Sequence, residues 1–542
     1  MSESVSKHRY LLALPRGKKE ILLSWRLLES DAADAPFQVE RRPSKEAPWV
    51  RVSDAPVVDS TTFLDHAPEP RRYEYRVVAP SGVSETVSAD AAAGPTAVAI
   101  SAALNPDDHL RGMSVALGDL CNDGRIGYVL RVGRAGTVWM LAYRHDATPL
   151  WEKDTGLPAS GGWDGSMLHV PVACWDLNGD GRTEVAFHTS KRRPIEESYD
   201  TAGSDEFLTA VDAETGEVLW EAPWPAVHSR VMMTVGHLRG MDRPASVVVQ
   251  DETYGPVTLT ALDGADGRVL WRVEQERPGG HNLDIGDLDG DGVQEVICGG
   301  VCYHGDGTVR WQAEPFGHSD ISKPAVMDPG RPGLQVWYAI ESGNPGVYFV
   351  DRDGKTIFKE AYRHAHYGWI ARHTAAIPGL QPHTAEDARH EYGAADAGAR
   401  EEGHFPIFLP DGSHWLNLTE WQRKNFVPVH WDEGPEVTFV IRKENKRVVR
   451  LKETGEIEDV PGGDLPESGH YGSNMACADV IGDYRENIVT VDMSERRLVV
   501  LANPTVARRR GASPYGDFHY RHDRSQHGSG YYRYLSPPYT AR

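Results

Sequence analysis

The feature that most constrains this chain is a repeat in which a strand-like run ends in an Asp- and Gly-rich loop. The clearest copy is HNLDIGDLDGDGVQEVICGG, residues 281–300, where the run ends in Asp287-Leu288-Asp289-Gly290-Asp291-Gly292 and resumes at Glu295-Val296-Ile297. HVPVACWDLNGDGRTEVAFHTS repeats it with Asp176, Asn178, Asp180 and Glu184 at the same spacing. Worn copies follow at Asp119-Cys121-Asn122-Asp123-Gly124, at Asp328-Pro329 and at Asp479-Gly482-Asp483-Glu486, with weak equivalents near His237, Ile377 and Asp432. The anchors recur every 39 to 61 residues or so, about the length of one four-stranded propeller blade. A second repeat runs in phase with the first. AVDAETGEVLWE (210–221), ALDGADGRVLWR (261–272) and FVDRDGKTIFK (349–359) each read as strand, Asp/Gly turn, strand. The two together predict an all-β chain whose residues 98–542 form an eight-bladed β-propeller, seven blades being the alternative because two anchors are weak. Before it, ILLSWRLL, FQVERR, TTFLDHA and YEYRVVAPSG are short alternating segments separated by turns, so residues 1–97 read as a fibronectin type III-like β-sandwich.

Charge narrows the partners. The formal net charge of −22 lacks the concentrated positive field that nucleic acids or anionic membranes require. An acidic sugar can still bind where local Arg, His or a metal ion reverses the field. The five cysteines are odd in number and scattered, which argues for packed thiols over a disulfide framework. The opening MSESVSKHRYLLALPRGKKE has too short an apolar run for a secretory signal, and no segment is apolar enough to span a membrane, so the expectation is a cytoplasmic protein. Oligomeric state is not legible.

In the best loops, carboxylates stand at positions 1, 3, 5 and 9 with glycines where the chain must turn. Hard oxygen donors in a flexible loop suit Ca²⁺. The predicted ligands are Asp287, Asp289, Asp291 and Glu295, then Asp176, Asn178, Asp180 and Glu184. The loops at 119 and 479 read instead as hairpins held by side-chain to backbone bonds. Any metal in these loops is expected to be structural, because they lie at the far end of the inner strands from the strand starts.

Those starts carry a second pattern. His109, His169, His228 with Arg230, His281, His318 with Asp320, His366 with Tyr367 and with Arg372-His373, and His470-Tyr471 each open a predicted inner strand. The shared phase predicts a His/Arg/Tyr-rich mouth suited to an anionic ligand and to proton transfer near neutral pH.

At these residues the chain resembles the family-11 polysaccharide lyases, the rhamnogalacturonan lyases. The resemblance runs through SWRLL, HNLDIGDLDGDG, GHSD followed by DPGRPGLQVW, ADVIGDYREN and the closing RHDRSQHGSGYYRYLSPPY. It implies an eight-bladed propeller with a small β domain, bound calcium, and β-elimination at a uronic acid in a rhamnose-containing acidic oligo- or polysaccharide. Such a reaction needs a base for the C5 proton, a cationic group at the carboxylate and an acid for the leaving oxygen. The family carries a lysine shortly before the last-blade block, whereas this chain has SGHYGSNMACADV there. His470 and Tyr471 are therefore the candidate base and acid, in either order, with His281, His318 and Arg372 to position or neutralise the carboxylate. The alternatives are a rhamnose–glucuronate lyase of the ulvan or gum type and a non-catalytic carbohydrate-binding propeller.

Overall fold

The computed structural model describes residues 8–28, 30–159, 170–191, 205–228, 230–314, 317–374, 376–386, 405–419, 426–433, 438–441, 446–467, 475–511 and 513–526. Nearly all regular structure in these residues is β. The N-terminal unit has two sheets, one of three strands and one of five, closing on Trp25, Phe37, Val39, Tyr75 and Val77.

Among the described residues eight four-stranded antiparallel sheets follow, the first seven pairing their strands in sequential order. The fourth is Leu283–Gly286, Glu295–Cys298, Val301–Tyr303 and Val309–Gln312. The eighth takes three strands from the end of the chain and one from its beginning, Val98–Ala103 pairing with Arg497–Leu501. The Asp-rich loops fall where the repeat predicts, between the first and second strand of a sheet. Asp176 follows Val172–Trp175, Asp287 follows Leu283–Gly286 and Asp479 follows Met475–Ala478.

The second repeat explains how neighbouring sheets adhere. A Trp in the fourth strand donates its indole N–H to a turn carbonyl of the next sheet. The pairs are Trp151 to Ala213 at 2.9 Å, Trp220 to Gly264 at 2.9 Å, Trp271 to Gly305 at 3.0 Å and Trp311 to Arg352 at 3.0 Å. A turn glycine lies flat against the same ring, as Gly307 does against Trp271. In the sixth sheet the ring beneath Gly412 is Phe358, which packs without an N–H to give. Apolar clusters continue the same adhesion inward; one joins Val248, Leu259 and Ala261 of the third sheet to Leu283, Val296 and Val301 of the fourth.

The N-terminal unit packs on the worn loops. Ser24 donates to Asp483 at 2.7 Å, and Arg26 donates to the Gly124 carbonyl at 2.7 Å. Asp119 accepts the amides of Asp123 and Gly124, and Asp479 those of Gly482 and Tyr484, so both loops are held by side-chain to backbone bonds.

The C-terminal helix, Phe518–Ser525, crosses the inner strands at this same end, capped by Asp517, which accepts the Tyr520 amide. Gln526 accepts from Thr234 and the Val235 amide in the third sheet, and Lys323 of the fifth sheet pairs with Asp523. The Tyr520 hydroxyl accepts the Asp479 amide and donates to Glu486, which also takes Arg524 at 2.8 Å. The helix thus occupies the loop end of the inner strands and leaves their starting ends to the histidines. Among the described residues no helix is long and apolar enough to cross a membrane.

Candidate active site

The inner strands run antiparallel to their neighbours, so a residue that opens a first strand stands beside one that ends the second. At the starting ends of the fourth, fifth and sixth sheets this brings together six side chains from four segments. His281 precedes Leu283–Gly286, and His318 and Asp320 open Ser319–Ala325. Glu341 follows Gln335–Ile340, and His364 and His366 open Ala365–Ala371. The backbone ties the segments: Gly280 bridges Ser319, the His281 amide donates to the Ser319 carbonyl at 2.9 Å, and the Glu341 amide donates to the His318 carbonyl at 2.8 Å.

The side chains interlock. His366 Nδ1 lies 2.7 Å from Asp320 Oδ2, and His281 Nε2 lies 3.7 Å from Asp320 Oδ1. His318 Nε2 faces Glu341 Oε2 at 3.3 Å, and His364 Nε2 faces Glu341 Oε1 at 3.6 Å. His318 Nδ1 is 2.9 Å from the Thr253 carbonyl, which fixes Nδ1 as the donor and Nε2 as the lone-pair nitrogen. Tyr254 stacks on His318 with ring centroids 3.9 Å apart, and the Arg230 guanidinium lies over the Tyr254 ring at 5.3 Å.

Burial governs the electrostatics. It pushes His281 well below the ordinary imidazole range, helped by His318, and it lowers His318 as well, so both rings are neutral and offer lone pairs. Burial alone would raise the Asp320 carboxyl; the His366 ring bonded to it, with His281 and His318, outweighs that and holds it below the usual carboxylate range. For Glu341, burial and the adjacent Asp320 act together and push it up to about 7. Burial also raises Tyr254 to about 12, so its hydroxyl keeps its proton at neutral pH.

The predicted site residues divide between the two ends. His281 and His318 meet as expected. Arg372 does not join them: it follows the last residue of Ala365–Ala371, at the loop end, on the order of 20 Å along the strand from His366. Its neighbour His373 is buried there and lies within reach of the Trp369 indole N–H. His470 and Tyr471 lie outside the described residues. Glu341, His364 and Tyr254 were not read from the sequence.

Of the loop residues, Asp287, Asp289 and Asp291 converge closely enough to share an ion. Asp287 also accepts the amides of Gly290 and Gly292, and Arg310 reaches both Glu295 at 2.6 Å and Asp289 at 2.8 Å. In the other loop Asp176 accepts the Gly179 and Gly181 amides, Asp180 accepts from Asn178, and Glu184 accepts the Leu177 amide. A different group answers a cation's needs at the histidine mouth, where His281, His318, Asp320 and Glu341 each place a ligand atom within 4.8 Å of the others.

The profile of the C-terminal domain of rhamnogalacturonan lyase family 11 matches residues 228–541. That span is more than half of the chain and holds every member of the mouth cluster. The chain belongs to this family. Two curated relatives from Bacillus subtilis (strain 168) align with it. The rhamnogalacturonan endolyase YesW is 26% identical over 401 residues, covering 62% of this chain and 61% of its own length. The rhamnogalacturonan exolyase YesX is 24% identical, covering 92% of this chain and 90% of its own length. The crystal structure of the exotype rhamnogalacturonan lyase YesX superposes with a TM-score of 0.74 at 21% identity, covering 98% of this chain and 95% of that one. A rhamnogalacturonan lyase from Bacillus licheniformis gives 0.72 at 21% identity, with 98% and 96% covered. The family-11 lyases thus share this nearly all-β fold of many small sheets.

Proposed function

We propose that this chain is a lyase that cleaves rhamnogalacturonan by β-elimination beside a uronate, at the histidine mouth. The observation that carries the reading is the coincidence of family and site. The family profile begins at residue 228 and runs to 541, and the cluster of His281, His318, Asp320, Glu341, His364 and His366 falls wholly within it. The eight four-stranded sheets are read as the blades of an eight-bladed β-propeller, the eighth closed by Val98–Ala103, behind a fibronectin type III-like sandwich. In support, the first strands of the first seven sheets touch in series, that of the first sheet touches that of the eighth, and one apolar cluster joins Val427 and Val448 of the seventh sheet to Met475 and Ile488 of the eighth.

The mouth residues suit a divalent cation. The His318 Nε2 and Glu341 Oε2 atoms are buried without a hydrogen bond although they face each other at 3.3 Å. Leaving two such polar atoms unsatisfied costs several kcal/mol, on the order of 1–3 for each, unless a ligand takes both. His281, His318, Asp320 and Glu341 would hold the ion. When bound, it would supply positive charge to the uronate carboxylate and to the enolate-like charge that develops as the C5 proton leaves. The protein's own groups orient the sugar: Tyr254 and Arg230 flank the cluster, an aromatic face and a cation at the entrance. His470 and Tyr471 remain the proposed base and acid, in either order. In the loop at 287–295, Asp287, Asp289 and Asp291 would hold Ca²⁺.

The test is a substrate panel. Rhamnogalacturonan, ulvan and gum oligosaccharides are incubated with the protein, with and without EDTA, and the absorbance of unsaturated uronates is followed. New absorbance on rhamnogalacturonan alone, lost in EDTA and restored by a divalent cation, is expected. Binding without new absorbance on any glycan would overturn the lyase reading.

A further inference from the structure

The ligand atoms of the mouth cluster fall into two overlapping groups and are not arranged around one point. Each of its two carboxylates turns its two oxygens to different imidazoles. Asp320 directs Oδ1 to His281 Nε2 at 3.7 Å and Oδ2 to His366 Nδ1 at 2.7 Å. Glu341 directs Oε2 to His318 Nε2 at 3.3 Å and Oε1 to His364 Nε2 at 3.6 Å. The outer pair, His364 Nε2 and His366 Nδ1, stand 3.3 Å apart. Glu341, His364 and His366 therefore form a second convergent group that shares Glu341 with the first. Asp320 touches both groups.

We infer that the mouth is a two-cation centre, in which Asp320 and Glu341 bridge one ion held by His281 and His318 and a second held by His364 and His366. Three features of the cluster support this over a simple hydrogen-bonded network. A network would draw each carboxylate oxygen close to a donor, whereas the Glu341 oxygens stand 3.3 and 3.6 Å from their rings and Asp320 Oδ1 stands 3.7 Å from His281, leaving only Asp320 Oδ2 at a short distance, 2.7 Å from His366. The donors also fall into two equal sets of two imidazole nitrogens and two carboxylate oxygens, a complete core for each ion with room for exogenous ligands. Finally, the segments that supply the sets are different: the fourth and fifth sheets give the inner histidines, the sixth gives the outer pair, and only the bridging carboxylates belong to both readings. Paired cations that share carboxylates sit about 3.5–4 Å apart and clamp one substrate group between them. A mixed nitrogen and oxygen set suits Mn²⁺ or Zn²⁺ better than Ca²⁺, which takes six to eight oxygens. If the chain is the lyase proposed above, the group clamped is the uronate carboxylate; the metal count itself does not depend on that reading.

The experiment uses the full chain, stripped with EDTA and titrated with Mn²⁺, with equilibrium dialysis for the count and electron paramagnetic resonance for the environment. At saturation the wild type is expected to show an exchange-coupled Mn²⁺ pair. His364→Gln/His366→Gln should bind one Mn²⁺ fewer and show only isolated ions. Asp287→Asn/Asp289→Asn should keep the coupled signal, because any ion it loses comes from the distant loop. A wild-type spectrum of isolated ions only, at saturation, would overturn the proposal even if the variants do not fold; so would a coupled signal that persists in the His364/His366 variant. A coupled pair in a chain that cleaves no glycan would leave the two-cation centre standing and sink the lyase reading alone.

Discussion

Gly307→Ala tests whether the tryptophan clasps hold the sheets together. Gly307 turns the third-to-fourth strand hairpin of the fourth sheet with φ at 85°, and an added Cβ would meet Trp271 Cδ2 at 2.8 Å and Cγ at 3.0 Å. Two costs follow. The left-handed backbone costs an alanine about 1–2 kcal/mol. The indole must then shift, which breaks its 3.0 Å bond to the Gly305 carbonyl and forfeits about 1 kcal/mol more, before any loss of packing. Gly290 supplies the control: its φ is 82°, nearly the same, but nothing stands within 4 Å of its would-be Cβ. Gly290→Ala should therefore cost the backbone part alone, and Gly307→Ala should exceed it by about 1 kcal/mol or more. Urea unfolding followed by tryptophan fluorescence measures both. A cycle with Trp271→Ala completes the argument, because once the ring is gone Gly307→Ala should cost no more than Gly290→Ala. Equal losses for the two single glycine variants, or strict additivity in the cycle, would refute the clasp.

Acid should weaken the fold. Burial, with His383 nearby, pushes His373 down to about 3, so between there and about 6.5 the unfolded chain binds a proton that the folded chain does not. Its contribution is complete above 6.5 and lost as pH falls; at pH 5 the loss is 1.5 pH units at about 1.36 kcal/mol each, or about 2 kcal/mol. In His373→Gln the decline in urea stability from pH 7.5 to 5 should shrink by that amount, and an unchanged decline would contradict the assignment. The C-terminal helix should behave as a structural plug: Arg524→Met strands the buried Glu486 carboxylate and should cost about 3–5 kcal/mol, with part recovered in Arg524→Met/Glu486→Gln. A loss below about 1 kcal/mol would show that the helix adds little to the fold.

The sheets were legible because their punctuation is chemical. An Asp that accepts two or three amides, as Asp287 does, and a turn glycine pressed on a ring, as Gly307 is, can be replaced by few other residues, so both repeats survive where the strands between them vary. The worn loops at 119 and 479 depart from the pattern for a physical reason: the N-terminal unit covers them, and Ser24 and Arg26 supply bonds there. At the mouth, His281 and His318 could be read because they open first strands in phase with the repeat. Glu341 and Tyr254 could not, because they reach the same mouth from beyond the second strands, whose ends the anchors do not index. Arg372 was placed at the mouth because the weak anchor near Ile377 sets the end of its strand too late; the strand stops at Ala371. The helix Phe518–Ser525 gave no signal, since FHYRHDRS has no apolar stripe and is buried through hydrogen bonds and ion pairs.

Elimination at the histidine mouth, unlike hydrolysis, leaves solvent oxygen out of the product. Rhamnogalacturonan is cleaved by the metal-replete protein in water enriched with heavy oxygen, and the product masses are read. Elimination gives fragments whose masses sum to that of the substrate, with an unsaturated uronate at the new end and no label, and none of this product is expected from Glu341→Gln/His318→Gln. Labelled oxygen at the new end would mean hydrolysis and would contradict it, as would undiminished cleavage by that variant.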